Sequence, residues 1–308
     1  MLNLIRVLFI IPTMQNNLSF FIFVNILVSC FSFISCSHFS KKPEPAVVVK
    51  EPGKIELKLK SIEGRIDLTD YYSHSKIKTF EQNQLVREKD EIVEFKVKSE
   101  SVKPDNNNNF IRTIVTTLEK DGLVDLHDLA FPEVKERIEF VFRQNADVLY
   151  AGSYPQSSVF YVPPLSLPDE KVEIGDTWEM QKSWVSMKNN IPLKLNLVTI
   201  LKNIYECGKN EKCADLEVSG DIGIITTMNE STKFNSQISG RIIFLIDKGT
   251  ILWSVVNSDE SFTIGPTRLE VKSCLNSILR EPIEDVWAKS IEAECDPMSD
   301  NEFKIPRL

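Results

Sequence analysis

The side chains able to do chemistry are few and scattered along this chain. Asp125, His127 and Asp128 stand together in the run LVDLHDLAF, residues 123–131. In a strand, Asp125 and His127 share a face while Asp128 points away. Such a grouping could begin a metal site or an acid–base pair. A hydrolytic metal site takes three protein ligands, however, and the remaining histidines are only His74 and His38. The favoured reading is a polar strand edge or turn. Asp176, in Gly175-Asp176 just before Thr177-Trp178, reads as a turn residue capping its own backbone. The asparagine run 106–109 reads as an exposed loop. No G-x-S-x-G, H-E-x-x-H, P-loop or dinucleotide glycine pattern occurs. A carboxylate pair for glycoside hydrolysis need not be local in sequence, but four Trp spread along the chain give no sugar platform. No catalytic residue, metal or cofactor is assigned, and the chain is read as not an enzyme.

The six cysteines divide into two groups. Cys207, Cys213, Cys274 and Cys295 lie far from the N-terminus and are even in number. Behind an export signal such a set reads as disulfides. Cys207 and Cys213 flank Gly-Lys-Asn-Glu-Lys between two strand-like runs, a hairpin tip where cross-strand side chains come close enough to bridge. Cys274 and Cys295 remain, and would pin the C-terminal segment to the last strand. The C-x5-C spacing lacks zinc-type geometry.

Cys30 and Cys36 belong to a different context. Residues 18–36, LSFFIFVNILVSCFSFISC, contain no charge, and Arg6 is the only charge before Lys41. A basic residue, an apolar core and small residues before a cysteine make a secretory signal. Phe33-Ile34-Ser35-Cys36 is followed at once by polar sequence, while Leu27-Val28-Ser29-Cys30 has the better residue three places before the cysteine. This stretch resembles the signal of a bacterial lipoprotein, in which the mature N-terminal cysteine is acylated. The resemblance implies lipidation, of palmitate type, at Cys36, with Cys30 as the alternative. The competing reading is an uncleaved signal anchor, since about eighteen apolar residues just span a bilayer.

Composition narrows the partners. The 308-residue chain has a formal net charge of −8, and the leader, with one Arg and no acid, leaves the remainder more negative still. That balance argues against nucleic acid, whose phosphates select clustered Lys and Arg. Membrane contact is expected through the N-terminal lipid anchor.

The expected organisation is a signal peptide over 1–35, a flexible tether over 36–53, a β-rich domain over 54–295 and a flexible tail over 296–308. A subdivision of the domain near 165–176 is left open. Residues 54–62 alternate Ile55, Leu57 and Leu59 with polar residues, the pattern of a half-buried strand. A mixed polar region surrounds Tyr71, Tyr72 and Phe80; residues 84–102 then resume the alternation. Residues 134–151 favour a hairpin over a helix. The proline-rich run 159–168 reads as a surface connector burying its aromatics. Six strand-like runs follow from residue 179 to 275, separated by Asn, Gly and Asp turns. Ile242 to Ile246 are apolar on both faces and should be central. Residues 282–294 show Ile283, Val286, Trp287 and Ile291 on one helical stripe.

The predicted fold is mainly β: an antiparallel meander forming a curved sheet, sandwich or open barrel, with one C-terminal amphipathic helix. The V-x-I-G-D-T-W segment ending at Trp178 resembles a segment of uncharacterised bacterial exported proteins, over residues 132–275. Those proteins are β-rich, and the resemblance carries no catalytic residues. The expected function is that of an envelope lipoprotein, periplasm-facing or surface-exposed, with a non-catalytic binding or scaffold domain. The alternative is a carrier of an apolar ligand or lipid in a sheet-enclosed cavity; a protein partner is the other expected contact.

Overall fold

The computed structural model describes residues 47–50, 52–102, 110–187, 190–208, 211–225, 232–282 and 292–298. The signal peptide with Cys30 and Cys36, the asparagine run and most of the expected helix and tail lie outside the described residues. Residues 292–294, the end of the expected helix, have no helical conformation.

Twelve antiparallel strands make the fold: β1 (Val47–Val48), β2 (Ile66–Glu81), β3 (Gln84–Ser101), β4 (Phe110–Asp121), β5 (Arg137–Arg143), β6 (Val148–Ala151), β7 (Thr177–Val185), β8 (Pro192–Gly208), β9 (Glu211–Ile224), β10 (Thr232–Leu245), β11 (Thr250–Ile264) and β12 (Thr267–Glu281). They form one sheet in the order β1-β8-β9-β10-β11-β12-β2-β3-β4-β5-β6, with β7 also paired to β8. The meander from β7 to β12 follows the expected hairpins. The chain then returns by placing β2 beside β12, with Cys274 opposite His74. β2 occupies the region that reads as mixed polar, because Ser73 and Ser75 rather than apolar residues stand at the middle of its inward positions.

The sheet is open but curls on itself. Ile138 and Phe140 of β5, at one edge, share a single core with Trp184 of β7 and Leu193, Leu195 and Leu197 of β8, at the other. Among the described residues no strand ladder joins those edges; coil does. Residues 54–62, expected as a strand, run across the gap with a single isolated bridge, Ile55 to Val172. The Leu59 amide donates to Gln144 O at 2.8 Å, and Leu57 is 0% exposed. An extended coil alternates its side chains just as a strand does, so the pattern was right and the pairing was not. The connector between β6 and β7 fills the remaining space with Val159, Phe160, Val162, Leu165 and Leu167, which answers the reading of a chain burying its apolar residues. Both sides of residues 165–176 share this one core.

β10 is the central strand, as its sequence requires. Ile242 and Phe244 join the inner core, whereas Ile243 and Leu245 join a second cluster on the outer face with Trp253 and Ile278. Gly220, on the inner face of β9, lies so close to Asn196 O of β8 that a Cβ would overlap it. The tight curl at β8–β9 therefore requires glycine there.

Two disulfides brace the outer side: Cys207–Cys213 and Cys274–Cys295, with Cα separations of 5.9 and 6.2 Å. The second fixes residues 292–298 against the outer cluster, where Ala293 also packs. At the β10–β11 turn, Lys60 Nζ donates to Asp247 O and Arg65 to Lys248 O, tying the crossing coil to the sheet.

Leu57 tests the role of the crossing coil. Leu57→Ala should destabilise the protein by about 2–5 kcal/mol, the cost of emptying a fully buried leucine site. Urea unfolding followed by Trp fluorescence measures this; a loss below about 0.5 kcal/mol would show that the coil is not part of the core.

Candidate functional site

The sequence-predicted cluster folds into a short 3-10 turn, Leu126–Leu129, and not a strand. Asp125 caps it, its carboxylate accepting from the His127 amide at 3.1 Å. Asp128 uses its amide on Asp125 O. The partners of His127 come from elsewhere: Nε2 lies 2.7 Å from Glu136 Oε2 and 3.0 Å from the Tyr154 hydroxyl. Tyr154 donates to Glu136 Oε1 at 2.6 Å. Burial works against the Glu136 charge, but hydrogen bonds from His127, Tyr154 and the Glu133 amide outweigh it and hold the carboxyl below its ordinary value. Glu136 is thus an acceptor, which places the imidazole proton on Nε2. Burial, followed by the Glu136 hydrogen bond, pushes the Tyr154 phenol up, so it remains a donor.

These bonds join two coil segments that cross the inner face. Glu133 extends the clamp, accepting from the Leu126 amide and from Lys120, both at 2.7 Å. The Tyr154 ring stacks on Phe160 at 3.9 Å. The cluster is half-buried and its polar atoms satisfy one another, the arrangement of a structural clamp. Among the described residues no group of three His, Cys, Asp or Glu side chains is placed to hold a metal ion. Asp176 accepts from the Glu173 amide at 2.8 Å and caps its own turn. His74 faces Asp90 across the β2–β3 ladder at 3.1 Å.

A second constellation emerges only when the register is followed across the sheet. Side chains alternate between faces, so the inward position of Ile242 fixes the parity of every paired strand. One inner row reads Ile238, Ser258, Ser273, Ser75 and Glu91 from β10 through β11, β12 and β2 to β3. The next row reads Ser236, Glu260, Val271, Ile77 and Lys89. Beyond it stand Phe234, Phe262 and Leu269, the first two with ring centroids 6.1 Å apart. A polar stripe therefore crosses an apolar inner face.

Its middle is buried, while Ser258, Ser273 and Glu91 are half-buried and Lys89 is exposed. Glu260 is 2% exposed, and Ser236, Ser75 and Ser73 are also buried. Ser258 Oγ lies 2.7 Å from Ser273 Oγ and donates to Glu260 Oε1 at 3.1 Å. Ser254 and Ser277 make a similar pair at 2.6 Å. Glu260 Oε2 and Ser236 Oγ have no hydrogen-bond partner. Burial pushes the Glu260 carboxyl up to about 6, against the opposing bond from Ser258. Sequence reading missed these residues because each sits in an ordinary strand run. The available signal was Ser236, at a position whose parity on β10 is otherwise Phe234, Ile238, Gly240, Ile242 and Phe244.

No protein-family model and no curated protein matches this chain. Several solved structures are similar. One concerns lipid–protein interactions in lipovitellin, at 10% identity and TM-score 0.41, covering 71% of this chain and 25% of that one; the chain thus spans about a quarter of its length. Another is an outer membrane channel from Pseudomonas putida F1, at 10% identity and TM-score 0.22, covering 75% of this chain and 100% of that one. A third is a DUF1329 family protein from Desulfovibrio piger ATCC 29098, at 8% identity and TM-score 0.16, covering 71% and 89%. What this chain does is read from its own residues.

The folded state holds the Glu260 proton more tightly than the unfolded chain does, so stability falls as pH rises from 4.5 through about 6. Glu260→Gln should stabilise the ligand-free protein by about 2 kcal/mol at neutral pH and by nothing below the unfolded value. Chemical denaturation at a series of pH values reads the difference. A pH-independent effect would mean that Glu260 does not carry this charge in the fold.

Proposed function

We propose that this protein is a non-catalytic envelope lipoprotein, anchored through acylated Cys36, whose curled sheet binds an apolar molecule against its inner face. One observation carries the binding reading: buried polar atoms without partners, Glu260 Oε2 and Ser236 Oγ, set among apolar rows. A core evolved only for packing gains nothing from such groups, because unsatisfied burial costs free energy. A ligand site needs a few placed polar groups in an apolar surround. Export is supported by the charge-free run before Cys36 and by two disulfides, which persist in oxidising compartments.

A second reading, docking of a protein partner, is favoured by Leu85, Val86 and Ile264. These are exposed at the tips of the β2–β3 and β11–β12 hairpins, which lie side by side through the Thr267–Glu81 pair. It ranks below ligand binding because such exposed residues are common on soluble surfaces.

Two measurements test the reading. The protein purified from its membrane and extracted with organic solvent should release one amphiphile in near-stoichiometric amount by mass spectrometry. Solvent extracts with only the protein's own acyl groups would overturn the binding role. For anchoring, Cys36→Ala combined with Cys30→Ala should block maturation and acyl labelling. Normal processing and membrane partition of the double variant would sink the lipoprotein assignment.

A further inference from the structure

The inner-face stripe bears on the head group that such a ligand would carry. Glu260 on β11 and Ser236 on β10 are direct register partners. Each presents one buried, unpartnered oxygen on the inner face. The second Glu260 oxygen is already held by Ser258, which orients the carboxylate and leaves Oε2 for another donor. A buried carboxylate oxygen is best compensated by a charged donor, whose hydrogen bonds are about twice as strong as neutral ones. An anionic head would need a free cation instead. The cation in the same inner row, Lys89, is already ion-paired with Glu91.

We propose that Glu260 and Ser236 form the head-group subsite for an amphiphile ending in a primary ammonium, with its apolar body along Phe234 and Phe262. This rests on the ligand-binding reading and specifies its chemistry. The ammonium has three donors, enough for Glu260 Oε2 and the Ser236 hydroxyl at once. Ion pairing there also removes the cost of burying the carboxylate alone. The phenylalanine row beyond the pair, with Leu269, continues the apolar path toward the β11–β12 turn. The site thus selects by charge at one end and by apolar contact along the other.

The test uses the full chain in its native membrane. Three hexadecyl probes carry the same mid-chain diazirine and differ in the head: primary amine, hydroxyl or carboxylate. After irradiation, the purified protein is digested and labelled peptides are mapped. The amine probe should label β10–β12 peptides at least about tenfold more than the carboxylate probe, the ratio for one charge-assisted contact of ordinary strength. Glu260→Gln should erase that preference while labelling by the hydroxyl probe persists. Ser236→Ala should reduce amine labelling several-fold, with both native disulfides retained as the check on folding. Equal labelling by all three heads, or a preference for carboxylate, would overturn the head-group assignment but leave ligand binding standing. Failure of every probe to label the inner strands above an apolar competitor would overturn ligand binding itself. Should Glu260→Gln not accumulate, the wild-type ratio between amine and carboxylate still decides.

Discussion

A twelve-stranded sheet that never closes has two edges to dispose of, and the rest of the molecule is organised by that constraint. Exposed edges offer unpaired amides and carbonyls to any passing strand. Here the sheet curls until its edges share a core, and coil rather than strand covers the gap. Leu57 and the 159–167 connector supply the apolar filling. The clamp of His127, Glu136 and Tyr154 then joins the β4–β5 connection to that connector. Remove the coil and the concave face is no longer an interior. The core that flanks the polar stripe, with Ile238 and Phe262, is the one this covering completes.

That dependence separates the two sets of polar groups. In the clamp every oxygen and nitrogen discussed has a partner, so the cost of partial burial is recovered within the protein. On the inner strands the serines pair with one another and Glu260 takes one bond from Ser258. One carboxylate oxygen and the hydroxyls of Ser236 and, on β8, Thr199 remain unsatisfied. Half-satisfied networks in low-dielectric surroundings are costly. That cost marks the candidate site more sharply than any motif.

Much of the fold was legible in the sequence. The hairpins after Thr177 follow from period-two alternation and Gly, Asn and Asp turns, and the two-faced burial of Ile242 to Leu245 was readable directly. Strand β2 was obscured because Ser73 and Ser75 occupy inward positions where alternation predicts apolar residues. The same substitution of serine for an apolar residue marks the candidate site, so the unreadable strand and that site share one cause. Residues 54–62 failed in the opposite way: an extended coil and a strand place side chains alike, and only pairing distinguishes them. His127 was visible, but its partners Glu136 and Tyr154 lie nine and 27 residues away. Local spacing could not assemble them, and Glu260 with Ser236 depended on register across two strands.

The shortest strand has a consequence for how the domain is hung. Val47 and Val48 pair with Tyr205 and Glu206 of β8, close to the β8–β9 turn. About eleven residues separate Cys36 from Val47, a reach of at most about 40 Å when fully extended. With acylation at Cys36, the chain leaves the sheet at the end carrying the β8–β9 and β10–β11 turns. The opposite end, with the β2–β3 and β11–β12 hairpin tips, can then stand off from the bilayer.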